Sequence, residues 1–105
     1  MQQVFALQNE KSWKTLFTDG TIIRVVNEKY STPEEFLEKY EEKGFLKKRL
    51  EMPVAGVKLV THPEKDSSNA RVEFTGQSQP LELEFNSYLE RDAFVAIIIQ
   101  PNKLT

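Results

Sequence analysis

The residues able to act on a ligand are few, and most of them are cations. Lys47-Lys48-Arg49 is the densest positive cluster and lies in a stretch that reads as extended. Alternate side chains of a strand point to opposite faces, so the three do not share one surface. With the acidic run of residues 34 to 42 just upstream, they read first as an internal charge match and second as a contact for an acidic peptide or anionic surface. Lys11, Lys14 and Arg24 form a looser set around an early turn. The one histidine, His62, sits beside Pro63, with no cysteine in the chain and no Ser or Asp at motif spacing. A nucleophile–base pair therefore lacks its second member. Glu34-Glu35 and Glu41-Glu42 read as a solvated helix face rather than as acid–base pairs. There is no glycine-rich phosphate loop and no metal-ligand spacing. The expectation is a protein that is not an enzyme and holds no cofactor or metal.

Bulk composition narrows the classes further. At 105 residues the chain fits one domain, residues 1–105, with one modest core, whether it stands alone or as a module of a longer protein. Lys plus Arg total 14 against 16 Asp plus Glu, which argues against a nucleic-acid partner. The absence of cysteine fits a reducing compartment. The first residues, Met1-Gln2-Gln3-Val4-Phe5-Ala6-Leu7, lack the basic start and sustained apolar run of a signal peptide. No stretch approaches the roughly 20 apolar residues of a membrane span. The cytoplasm is the expected setting, with the nucleus or cytoskeleton as variants.

The elements that must position these residues are mostly strands. Val4-Phe5-Ala6-Leu7 opens the chain as a short strand. Residues 12–17 and 21–26 are rich in aromatic and β-branched side chains, with Asp19-Gly20 between them, a two-residue hairpin signal. That turn pairs Phe17 with Ile22, and both faces then carry large apolar groups: Trp13, Phe17, Ile22 and Val26 on one, Leu16, Ile23 and Val25 on the other. A strand curling between sheets would account for this. Trp13 reads as packing rather than recognition.

Residues 31–44 form a helix. Thr32 caps it, Pro33 takes the first helical position, and Glu35 completes a capping box. Gly44 ends it, with Phe45 reaching back to Tyr40. Only Phe36, Leu37 and Tyr40 are strongly apolar, so this reads as a surface insertion. Residues 45–51 are extended. In the next strand, residues 55–62, Val57 and Leu59 share one face and Lys58, Val60 and His62 the other. Ala70-Arg71-Val72-Glu73-Phe74 and Leu81-Glu82-Leu83-Glu84-Phe85 alternate apolar and polar, the period of half-buried strands. Ser87 and Glu90 then offer a capping box for a closing helix. The β-branched run through Ile99 is equally compatible with a buried strand, and the preceding cap favours helix.

Seven extended segments, a helix after the third and a helix at the end describe a mainly β fold. This arrangement resembles the pleckstrin-homology superfold, a seven-stranded antiparallel β-sandwich or barrel capped by a C-terminal helix, here with an extra helix between strands 3 and 4. The likeness in sequence is carried by Phe85-Asn86-Ser87-Tyr88-Leu89-Glu90-Arg91-Asp92-Ala93-Phe94-Val95-Ala96-Ile97. In that family an aromatic precedes a polar helix start, and a buried tryptophan follows a charged turn. Phe94 stands at the tryptophan position, so the chain resembles a divergent member.

The resemblance implies a non-catalytic scaffold or adaptor domain. Its partner would be a protein or peptide, bound at a strand edge, in the groove beside the last helix, or on an aliphatic face. With Phe94 and Ile97 as the plug, Val95, Ile98 and Ile99 are left partly outside. Exposed aliphatic surface of that kind marks a partner, a homo-oligomer contact, or cover from further chain. Lipid-binding members of the superfold implied the alternative, a phosphoinositide adaptor using Lys11, Lys14 and Arg24. Their pattern is incomplete here, with Gln2, Gln3 and Glu10 where cations are expected. Trp13-Lys14-Thr15-Leu16-Phe17-Thr18-Asp19-Gly20-Thr21 also resembles the opening hairpin of a polo box, a third reading. A small inhibitor or immunity-type protein is a fourth.

Overall fold

The computed structural model describes residues 2–42, 49–61 and 68–99. Their elements are β1 (Gln3–Ala6), β2 (Thr15–Thr18), β3 (Ile22–Val26), α1 (Pro33–Glu42), β4 (Arg49–Pro53), β5 (Val57–Thr61), β6 (Asn69–Phe74), β7 (Leu81–Glu84) and α2 (Tyr88–Ile98), with a short 3-10 turn over Val54–Gly56. The strands form two antiparallel sheets, β1-β2-β3-β4 and β5-β6-β7. The sheets do not close into a barrel. A lone bridge between Leu7 and Phe85 joins them where β1 and β7 end.

The main core lies between the sheets. Ala70, Val72 and Phe74 of β6 and Leu81 and Leu83 of β7 face inward, and Arg71, Glu82 and Glu84 stay outside, as strict alternation requires. Leu16, Ile23 and Val25 meet them from the four-stranded sheet. α2 closes this core. Ser87 is extended and its hydroxyl accepts from the Glu90 N–H at 3.3 Å, which starts the helix. The β-branched run is therefore helical through Ile98. Phe94 is fully buried, with ring centroids 6.0 Å from Phe5 and 5.3 Å from Phe85.

Three expectations change. The first concerns the hairpin, whose register is two residues out: Thr18 pairs with Ile23 and Phe17 with Arg24. The Asp19 carboxylate accepts from the N–H groups of Thr21 (2.8 Å) and Ile22 (3.0 Å), while the Thr18 hydroxyl donates to the Ile22 carbonyl. Burial alone would raise the Asp19 pKa, but these donors outweigh it and hold the carboxyl below its ordinary value. The side chain thus builds a longer loop in which only Gly20 takes positive φ. A shift of two preserves the faces, which is why the alternation still reads correctly. Trp13 nonetheless leaves the Phe17 face and packs on the main core. A tight turn at Ser12 (φ 68°), with the Trp13 N–H donating to the Lys11 carbonyl, breaks the alternation before β2 begins.

Second, α1 is a packed layer rather than a surface insertion. Phe36 and Tyr40, one turn apart, are buried with Phe17 and Val26 in a second cluster on the other face of the four-stranded sheet. Phe36 stacks on Phe17 at 5.2 Å and on Tyr40 at 5.7 Å, and meets Tyr30 edge-on at 5.8 Å. Large rings let a narrow apolar stripe cover the apolar centre of that sheet face. Helix cover, not a curling strand, explains the two apolar faces of the hairpin. Thr32 caps α1 by accepting from the Glu35 N–H, and the Glu35 carboxylate reaches back to Ser31. The C-terminal cap expected at Gly44 and Phe45, and the extended run expected over 45–48, lie outside the described residues.

Third, β5 does not keep one alternation. Val57 pairs with Phe74 but Leu59 pairs with Glu73, so a bulge falls at Lys58. An extra residue resets the faces. Val57 and Val60 pack on the core, and Leu59 is left 51% exposed.

Candidate functional site

The bulged strand borders an apolar surface. β5 is an edge strand: it pairs with β6 on one side, and no described strand pairs with the other. Along it runs an open groove of about 270 Å³, lined by Val57, Lys58, Leu59, Val60, Val95, Ile98 and Ile99. Six of those seven residues are aliphatic. The floor comes from β5 and the wall from the C-terminal half of α2.

The opposite edge of the same sheet is handled differently. The Asn9 side chain accepts from the Glu84 N–H at 2.9 Å and donates to the Glu82 carbonyl at 2.9 Å. The Gln8 N–H donates to the Glu84 carbonyl at 2.7 Å. One amide side chain and one backbone N–H thus imitate a neighbouring strand and occupy the β7 edge. Unpaired strand edges invite other strands, and proteins usually block them. Here one edge is blocked, and among the described residues the other is open beside an apolar groove.

The residues singled out from sequence fall in separate places. Lys11 is exposed in the loop between β1 and β2. Lys14 turns back on that loop, its ammonium donating to the Asn9 carbonyl at 3.0 Å. Arg24 lies on the α1 side of the four-stranded sheet, its guanidinium 4.6 Å from the Tyr40 ring centre and 3.5 Å from Glu51. Arg49 stacks on the same ring at 3.5 Å and donates to the Tyr40 carbonyl at 2.9 Å. The Tyr40 hydroxyl donates to Glu51 at 2.9 Å. Burial and then that carboxylate push the Tyr40 pKa up. The Arg24 Nε is buried with no hydrogen-bond partner among the described residues, and its stacking on Tyr40 offsets part of that cost. This cluster fastens α1 to β3 and β4, so the charge match expected for Arg49 is made to an aromatic ring and a helix carbonyl instead of helix carboxylates. Lys14 and Arg24 do not share a neighbourhood. Lys47, Lys48 and His62 lie outside the described residues.

The aliphatic trio also needs correction. Ile98 is fully buried and Val95 is 8% exposed, while Ile99 is half-buried at the groove rim. α2 turns Leu89, Asp92, Ala93 and Ala96 outward instead, which is the stripe opposite Arg91, Phe94, Val95 and Ile98. Two residues were missed. Leu59 was misplaced because a bulge leaves no local mark in sequence. Arg91, 2% exposed, donates to Asp92 at 2.6 Å and to the Asn69 carbonyl at 3.2 Å. Its signal was legible, since Arg91 stands at helical spacing from Phe94, Val95 and Ile98.

Among the described residues no group of His, Asp or Glu is arranged to hold a metal ion, and no helix is long and apolar enough to cross a membrane. No protein-family model matches the chain, and no curated protein matches it.

Proposed function

We propose that this chain is a non-catalytic protein-interaction domain of divergent pleckstrin-homology-like type, which docks an extended segment of a partner protein as an added strand on β5. The observation that carries this reading is the contrast between the two edges of the three-stranded sheet. β7 is occupied by Asn9 and Gln8, whereas β5 lies open along an aliphatic groove. The β5 backbone would supply hydrogen bonds, and the groove would take alternate side chains of the added strand. Four antiparallel strands, then three, then a closing helix with a buried aromatic support the superfold reading.

The occupant is a short strand with aliphatic side chains facing α2. A blocked, neutral peptide of sequence Thr-Val-Thr-Val-Thr is the minimal probe, titrated into isotope-labelled protein by NMR. Amide shifts are expected in β5 and the last turn of α2, with β7 unmoved. Leu59→Asp should cost only about 1 kcal/mol, because half of the side chain is already solvated, and should remove those shifts. Shifts confined to other surfaces, or unchanged in Leu59→Asp, would overturn the reading.

A further inference from the structure

The groove has one ionisable side chain, and it is a cation. Lys58 stands at the bulge, exposed, and its side chain makes no ion pair with another described residue. The other lining residues carry no charge and no polar side chain. Arg24, Lys39 and Arg91 are each paired with a carboxylate, at 3.5, 3.6 and 2.6 Å. Among the described residues Lys58, like Lys11, Lys29 and Arg71, has no carboxylate partner, and of these Lys58 is the one that lines the groove.

We propose that the partner segment is acidic: an aliphatic strand with a carboxylate on its solvent face, placed to pair with Lys58. This rests on strand addition at β5 and names the chemistry selected there. In an added strand the side chains alternate. The valines of the probe pattern point toward the Ile99 rim of the groove, and the residue between them points outward, on the side where Lys58 and Leu59 are exposed. A carboxylate there gains an ion pair, whereas a cation meets like charge. Electrostatic complementarity of this kind selects among partners more than it adds affinity. Other charges near the edge do not reverse the sign. Glu73 lies across from Leu59 on β6, on the side away from the open edge. The partial negative charge at the end of α2 acts at the Ile99 rim, within about one turn of the helix terminus.

A competing explanation is that Lys58 and the bulge only guard the edge against indiscriminate pairing. Two probes separate these accounts: blocked peptides Thr-Val-Glu-Val-Thr and Thr-Val-Lys-Val-Thr, which differ in one central residue. The glutamate peptide should bind about two- to fivefold more tightly, the range of a single exposed ion pair. The difference should narrow as salt rises from about 0.02 M to about 0.5 M, where screening shortens to a few ångströms. Lys58→Glu should reverse the preference without changing which amides shift. Equal binding of both peptides, or a preference that survives Lys58→Glu, would overturn the acidic assignment while leaving strand addition intact. Failure of both peptides to move β5 would overturn strand addition itself.

Discussion

Ile98→Asp is expected to unfold the protein rather than to block an interface. The Ile98 side chain is wholly buried in the main core, and in the present helical phase it has no route to solvent. Truncating such a residue costs about 2–5 kcal/mol, and a carboxylate left without a partner adds several more. A domain of this size has about 5–15 kcal/mol of stability in all. Circular dichroism with urea should show little or no folded baseline for the variant. Ile99→Asp, one residue on at the groove rim, should lose only about 1 kcal/mol. A folded Ile98→Asp with an unchanged midpoint would mean that α2 is rotated about its axis.

Phe94→Ala is the second large effect, expected at about 3–5 kcal/mol. Phe94 completes an aromatic trio in which Phe5 and Phe85 also meet, edge-on, at 5.7 Å. Its removal leaves a cavity where three elements converge: the first strand, the end of β7 and the closing helix. Loss should appear as a lower urea midpoint with the slope retained. Phe94→Trp should cost less, about 1–3 kcal/mol, because the extra ring must displace packed neighbours. If Phe94→Ala costs under about 1 kcal/mol, the helix is not the stopper of this core.

The sequence was most readable where one physical signal acts alone. β6 and β7 alternate because one face meets the core and one meets water, and nothing interrupts them. The caps at Thr32 and Ser87 are local, so their residues announce both helices. Misreadings came where a distant or invisible feature decides. The Asp19 carboxylate lengthens the hairpin loop through hydrogen bonds that no spacing reveals. The bulge at Lys58 turns Leu59 outward although alternation assigns it a face with Val57. The role of α1 was underestimated because counting apolar residues ignores ring area. The candidate site was only half legible. A groove beside the last helix is one of the surfaces the resemblance implies, but the choice of β5 depends on Asn9 filling the β7 edge, a contact between residues 73 or more apart in sequence.

Residue-resolved hydrogen exchange tests the central claim most directly. In the free protein the Glu84 amide, bonded to Asn9, should be protected, while the β5 amides turned away from β6 should exchange almost as fast as those of loops. On saturation with the glutamate peptide those β5 amides should become protected and the β7 amides should not change. Strong protection of both faces of β5 before any peptide is added would contradict the account, because the edge would then already be filled.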